Sequence, residues 1–308
     1  MKRAWLLLAL AGCPAGDDDA VVPDDGAGPD RPPRDGPPCP APVAAPAWLD
    51  GFLADHVARL AGAADIAPGV RLADRATASR RTTARTYLAD QLTGLGLTVS
   101  LDDYGQGANV VGELPATAAG ATEWIVVGAH FDTVTGSPGA NDNATGVATA
   151  LAVARALAEL PCRDRGVKVV LFDQEETGLI GSTTYATRQF QAGTPIVAVH
   201  TIDQVGWDAD DDLRFELELP TPALLAEYQA GAAAVGAQVV STTTSGTDHT
   251  AFRERGFAAI GLTEEYVSGD TTPHYHRTTD TAATVDRAYH VLATRLVTFV
   301  VARELGAD

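Results

Sequence analysis

The sequence predicts an α/β fold, with a mostly parallel central sheet flanked by helices on both faces, as a single domain over residues 47–308. Two observations lead there. The runs EWIVVGAH (123–130), VKVVLF (167–172) and IVAVHTI (196–202) are predominantly apolar, as strands buried on both faces are. Stretches with helical apolar spacing separate them, and strands alternating with helices imply a parallel sheet covered on both sides. From Ala47 onward there is no linker, repeat or second change of composition.

In chain order, apolar spacing predicts helices over about 48–62 and 77–94, then strands near 97–103 and 108–114. The strand 123–130 follows. NATGVATALAVARALAEL (143–160) reads as a helix that Pro161 stops. VKVVLF and IVAVHTI are central strands with a helix near 178–190 between them. A helix near 221–235, a strand near 257–262 and a long helix near 285–305 complete the chain.

The amino-terminal residues read differently. Lys2 and Arg3 precede WLLLALAG, too short for a bilayer-spanning helix but shaped like an export signal over residues 1–12. Leu10-Ala11-Gly12-Cys13 resembles a bacterial lipobox, which implies cleavage before Cys13 and lipid on its thiol. Residues 13–46, rich in Asp, Pro, Gly and Ala without an apolar period, read as a disordered tether. The expectation is an exported protein, lipid-anchored to a bacterial envelope and touching membrane through that lipid alone. Export permits a disulfide between Cys39 and Cys162, with two unpaired thiols as the alternative. Forty acidic against twenty-two basic residues, a net charge of −18, argue against nucleic acid or an anionic membrane surface as partners.

Polar clusters fall where the predicted strands end, the edge where ligands gather in such sheets. EWIVVGA runs into His130 and Asp132, VKVVLF into Asp173, Glu175 and Glu176, and IVAVHTI into Asp203; Asn141-Asp142-Asn143 precedes the Ala-rich helix. Imidazole and carboxylate suit zinc above other divalent ions. His130, Asp142, Glu176, Asp203 and His276 are too many for one tetrahedral ion and enough for two if one carboxylate is shared. Adjacent acids such as Glu175 and Glu176 can coexist beside cations, one as ligand and the other free to move protons. Each group also has an ordinary explanation. The Asn-Asp-Asn run suits a helix N-cap, the paired Glu suit a first helical turn, and His274 and His276 suit a polar loop.

The segments GAHFDTV, GANDNATGVA, FDQEETGLIGS, IDQVGW, SGTDHTAF and HYHRTTDT together resemble the secreted bacterial dizinc aminopeptidases of metallopeptidase family twenty-eight, from about residue 75 to the carboxyl terminus. The resemblance implies a zinc-peptidase domain with two Zn²⁺ per chain. His130 and Asp203 would hold one ion and Glu176 and His276 the other, with Asp142 bridging. Glu175 matches the general base and Asp132 the acid that orients His130, and the peptide bond after Asp142 would be cis. Asp248 and His249 match an element near the pocket, with Gly246-Thr247 ahead of it where a Ser is common. The implied substrates are peptides with a free amino terminus. Two alternatives stand on the same fold: a glutaminyl-peptide cyclotransferase, which works with one zinc and departs from the DNATG segment, and a non-catalytic binding domain, which would have lost ligands.

Overall fold

The computed structural model describes residues 39–307, so the export signal, Cys13 and most of the tether lie outside the described residues. In chain order the elements are α1 (Leu49–Leu60), α2 (Ala78–Gly94), β1 (Thr98–Asp103), β2 (Ala108–Leu114), β3 (Trp124–His130), α3 (Gly146–Glu159), β4 (Gly166–Phe172), α4 (Ile180–Ala192), β5 (Ile196–Ile202), β6 (Arg214–Glu218), α5 (Pro222–Val235), β7 (Gln238–Thr242), α6 (His249–Arg253), β8 (Ala259–Thr263) and α7 (Arg287–Glu304). Eight strands form one sheet in the order β1-β2-β4-β3-β5-β8-β6-β7.

The sheet is mixed, which corrects the expectation of a mostly parallel one. The central run β4-β3-β5-β8 is parallel, as the apolar runs implied. The pairs β1–β2, β2–β4 and β6–β8 are antiparallel, while β6–β7 is parallel. The cause at the first edge is connection length. Only residues 104–107 join β1 to β2, and a link that short closes an antiparallel hairpin, whereas parallel strands need a long crossover.

Helices cover both faces. Leu53 and Leu60 of α1, Leu88 and Leu92 of α2, Leu151 and Leu157 of α3, Tyr228 of α5 and Leu296 and Val300 of α7 share one buried cluster with Val127, Val169 and Ile260 of the sheet. A smaller cluster on the other face joins Tyr185 and Ala186 of α4 and Phe252 of α6 to Val126, Val170 and Val199. The packed part of the chain begins ahead of Ala47: Cys39 and Ala41 are buried in the larger cluster. Cys39 is disulfide-bonded to Cys162, with Cα atoms 6.2 Å apart.

One core histidine sets a pH dependence. His290 of α7 is buried, its Nε2 3.0 Å from the Thr145 carbonyl and 3.2 Å from Thr149 Oγ1. Burial pushes its pKa down to about 4 from an ordinary 6.5. Between those values the unfolded chain binds the extra proton and the folded chain does not, so this contribution is present above pH 6.5 and is lost as pH falls toward 4. The loss approaches about 3 kcal/mol at full extent. Urea unfolding from pH 7 to pH 4 measures it: His290→Gln should show a shallower acid loss than wild type, and parallel curves would refute the assignment.

Candidate metal centre

The strand ends carry the site. β4, β3 and β5 lie side by side in parallel, so their carboxyl ends share one edge of the sheet. His130 is the last residue of β3, Asp203 follows β5, and the turn holding Glu175 and Glu176 follows β4. Asp142 comes from the segment Ala140–Thr145, which leads into α3. Its backbone leaves helical geometry at Asp142 (φ −108°, ψ 89°) and Asn143 (φ −134°, ψ 47°), and the Asp142–Asn143 peptide is cis. His276 arrives from the long loop after β8 with φ of 57°, a left-handed conformation that a residue with a Cβ adopts only when its surroundings hold it there.

These five side chains converge. His130 Nε2 lies 3.4 Å from Asp142 Oδ1 and 3.4 Å from Asp203 Oδ1. His276 Nε2 lies 3.2 Å from Asp142 Oδ2 and 3.0 Å from Glu176 Oε2. Asp142 thus turns one oxygen to each of two triads, His130–Asp142–Asp203 and Asp142–Glu176–His276.

Their neighbours explain how the arrangement is held. Asp280 accepts the backbone N–H groups of Asn141 (2.8 Å) and Asp142 (3.1 Å). Asn143 Nδ2 donates to the Ile202 carbonyl, and its Oδ1 accepts from Gln204 and from Gly146 at the start of α3. The Asn-Asp-Asn run therefore does cap the helix, through Asn143, while Asp142 faces the site. Asp132 lies 3.5 Å from His130 Nδ1 and accepts the N–H groups of Glu175 (3.0 Å) and Glu176 (3.2 Å) with its two oxygens. One carboxylate thus sets both an imidazole and the acidic turn. Arg75, fully buried, donates to the carbonyls of Leu60, Phe131, Pro138 and Gly139 and so braces the loop between His130 and Asp142. Gly139 is required there: at φ 67°, a Cβ would lie 2.8 Å from Arg75 and 2.5 Å from the Asp142 carbonyl. Tyr275 stacks on His276 with ring centroids 3.8 Å apart.

The donor set fits divalent zinc. Both ring nitrogens of His130 and Asp203 Oδ1 are buried without a hydrogen-bond partner, an arrangement that costs free energy unless something else satisfies them. Tetrahedral zinc with bonds of about 2.0–2.1 Å separates its ligand atoms by roughly 3.3 Å. The observed separations run from 3.0 to 3.4 Å. His130, Asp142 and Asp203 would hold one ion, and Asp142, Glu176 and His276 the other.

As protein groups alone, these residues compete for protons. Burial opposes ionisation of Asp142, yet the adjacent His130 and His276 imidazoles hold it down at about 2. Burial and the Asp142 charge push Glu176 up to about 7. Burial, against the pull of His130, pushes Glu175 up to about 10, with Asp248 and Asp203 adding to the rise. Bound cations reverse this ordering by favouring every carboxylate.

Glu175 and Glu176 do not begin a helix. They lie in the turn before α4, which starts at Ile180, so a purely helix-dipole role for them fails. Glu175 belongs to neither triad and lines the pocket beside them. Asp248 is buried with one oxygen unpartnered, and burial pushes its pKa up to about 7. Sequence reasoning missed Arg75, Glu264 and the part played by Asp280, although Asp280 stood inside the HYHRTTDT segment. Glu264, fully buried, accepts from Asn141 Nδ2 at 2.8 Å.

Comparison with known proteins gives the family. The model for peptidase family M28 matches residues 109–300, more than half of the chain, and takes in all five convergent side chains. Aminopeptidase YwaD of Bacillus subtilis is 30% identical over 183 residues, 58% of this chain and 40% of YwaD. The probable lipoprotein aminopeptidase LpqL of Mycobacterium tuberculosis is 37% identical over 94 residues, 30% of this chain and 18% of LpqL. The crystal structure of LapB from Legionella pneumophila superposes with a TM-score of 0.71 at 22% identity, covering 87% of this chain and 78% of LapB, a likeness of fold. The chain thus spans two fifths or less of these two curated relatives. The family match takes in the strands, the acidic turn and the histidine loop that meet at this centre, and the chain belongs to peptidase family M28.

Proposed function

We propose that the protein is a metallo-aminopeptidase that removes amino-terminal residues from peptides, using two zinc ions and Glu175 as general base. The observation that carries this reading is Asp142, whose two oxygens each face a separate triad at tetrahedral ligand spacing. Two divalent ions at these positions supply Lewis acidity toward water and the scissile carbonyl near neutral pH. Glu175, unligated and lining the pocket, takes the proton from the attacking water and delivers it to the leaving amine. Asp132 fixes the backbone of that turn, so Glu175 moves its proton from a set position. The pocket that Asp142, Glu175, Glu176, Asp203 and His276 line is about 180 Å³, small for a ligand site.

Zinc analysis on folded protein, paired with assays on free and N-acetylated peptides, tests the reading. Two zincs per chain and cleavage of the free peptides alone are expected. One zinc with conversion of amino-terminal Gln to pyroglutamate would favour the cyclotransferase, and neither metal nor turnover would favour a binding domain.

Lipid anchoring at Cys13 belongs to the same proposal, on the strength of Leu10-Ala11-Gly12-Cys13 and the likeness to LpqL, a probable lipoprotein aminopeptidase. Among the described residues no helix is long and apolar enough to cross a membrane. In a bacterial host, wild type should fractionate with membranes and Cys13→Ser should not. Wild type recovered without lipid would end this part of the proposal.

A further inference from the structure

The pocket beside the two triads holds one carboxylate that neither the proposed ligand set nor the proton transfer uses. Glu218, at the end of β6, is buried and lines the same pocket as Glu175 and Asp203. No lysine or arginine lines this pocket, and its remaining wall is mixed, with Gln204, Thr244, Thr247 and Thr263 beside the rings of Tyr266 and Tyr275.

The surroundings of Glu218 are built to hold it. Thr247 Oγ1 donates to Glu218 Oε2 at 2.7 Å, and His249 Nδ1 lies 3.3 Å from the same oxygen. The His249 ring is set in turn by Thr247 Oγ1 at 2.8 Å and the Thr244 carbonyl at 3.2 Å. Across the β6–β8 pairing the partner of Glu218 is Gly261, where a Cβ would come within 2.4 Å of Glu218 Oε2 and 2.8 Å of His249 Nδ1. A missing side chain on β8 thus makes the space that carboxylate and imidazole fill. Among the described residues, these side-chain contacts all use Oε2, which leaves Oε1 for a ligand. Burial makes that choice costly to ignore. A carboxylate out of bulk water gains most from a cationic partner that reaches it, and an apolar group placed against it forfeits the contact.

We propose that Glu218 determines specificity, selecting substrates whose amino-terminal residue carries a cationic side chain, lysine or arginine. This rests on the aminopeptidase reading, which sets the scissile carbonyl at the triads and sends the first side chain into the pocket. A shared requirement for the α-ammonium is the competing role for Glu218, and it predicts a different result.

L-lysine and L-norleucine differ only in the ε-ammonium group, so the pair isolates the side-chain charge. Titration calorimetry on the zinc-loaded full chain should give a Kd for lysine at least tenfold below that for norleucine. Hydrolysis of lysyl and norleucyl amides should show a similar ratio in kcat/KM. In Glu218→Gln both ratios should collapse toward one. Equal affinity for the two amino acids in wild type overturns the proposal, whether or not the variant folds. A Glu218→Gln variant that loses both ligands in proportion, with its ratio unchanged, overturns it in favour of α-ammonium binding. Cleavage of neither amide would remove the peptidase reading, and the calorimetric ratio would still decide the role of Glu218.

Discussion

Glu175→Gln should keep the fold and both metal positions and lose roughly 10²–10⁴-fold in kcat. The substitution is nearly isosteric and removes one property, the ability to take up and give back a proton. Both triads are complete without Glu175, and the backbone N–H that Asp132 holds is unchanged by it, so metal content should stay at the wild-type level. KM should move less than kcat, because the lost interaction belongs to the chemical step. A residue serving only the turn would cost a few tenths of a kcal/mol in stability and little in rate. Measuring kcat and zinc on one preparation separates the two, and near-normal kcat with two zincs bound would remove Glu175 from the mechanism.

Asp142→Ala should empty both positions together. Removing a neighbour that merely orients a metal ligand costs about 10–100-fold in affinity, and removing a ligand shared by two ions should cost more than that at each. The fold should survive, because Asp280 holds residue 142 through its backbone N–H. His130→Ala removes a donor from one triad only, so one of two zincs should remain. Metal analysis of the two variants against wild type gives the contrast. Asp142→Ala retaining one tightly bound ion would mean that the two triads do not share this carboxylate.

The sequence made the centre more legible than the frame around it. Its candidate groups stand directly after apolar runs, where a strand ends and its carboxyl-end groups must face the sheet edge, so hydropathy placed His130, the Glu175–Glu176 pair and Asp203, while the choice of Glu176 over Glu175 as ligand came from the family resemblance. β6 and β7 could not. RFELE buries Glu216 and Glu218, which read as surface charge until Ser268, Val267 and Thr247 are seen to donate to them. QVVST is a half-exposed edge strand of five residues, too short for alternation to register. The mixed sheet followed from the same blindness, since apolar runs report burial and carry no strand direction. Arg75 was hidden for another reason: its partners are four carbonyls scattered from Leu60 to Gly139, and carbonyls leave no trace in a sequence.

That arginine bears on the thermodynamics of metal uptake. A loop carrying a histidine at one end and an aspartate at the other would, if loose, have to be ordered by the ion, and uptake would then show the heat-capacity change of coupled folding. Here three hydrogen bonds from one buried guanidinium hold the loop through Phe131, Pro138 and Gly139, and a fourth ties it to α1 at Leu60. Little conformational entropy is left for the ion to remove, so zinc binding should register as a local event with a small heat-capacity change. If the two triads take up zinc as proposed, they would act as a preorganised chelate, with selectivity set by the geometry that Arg75 braces.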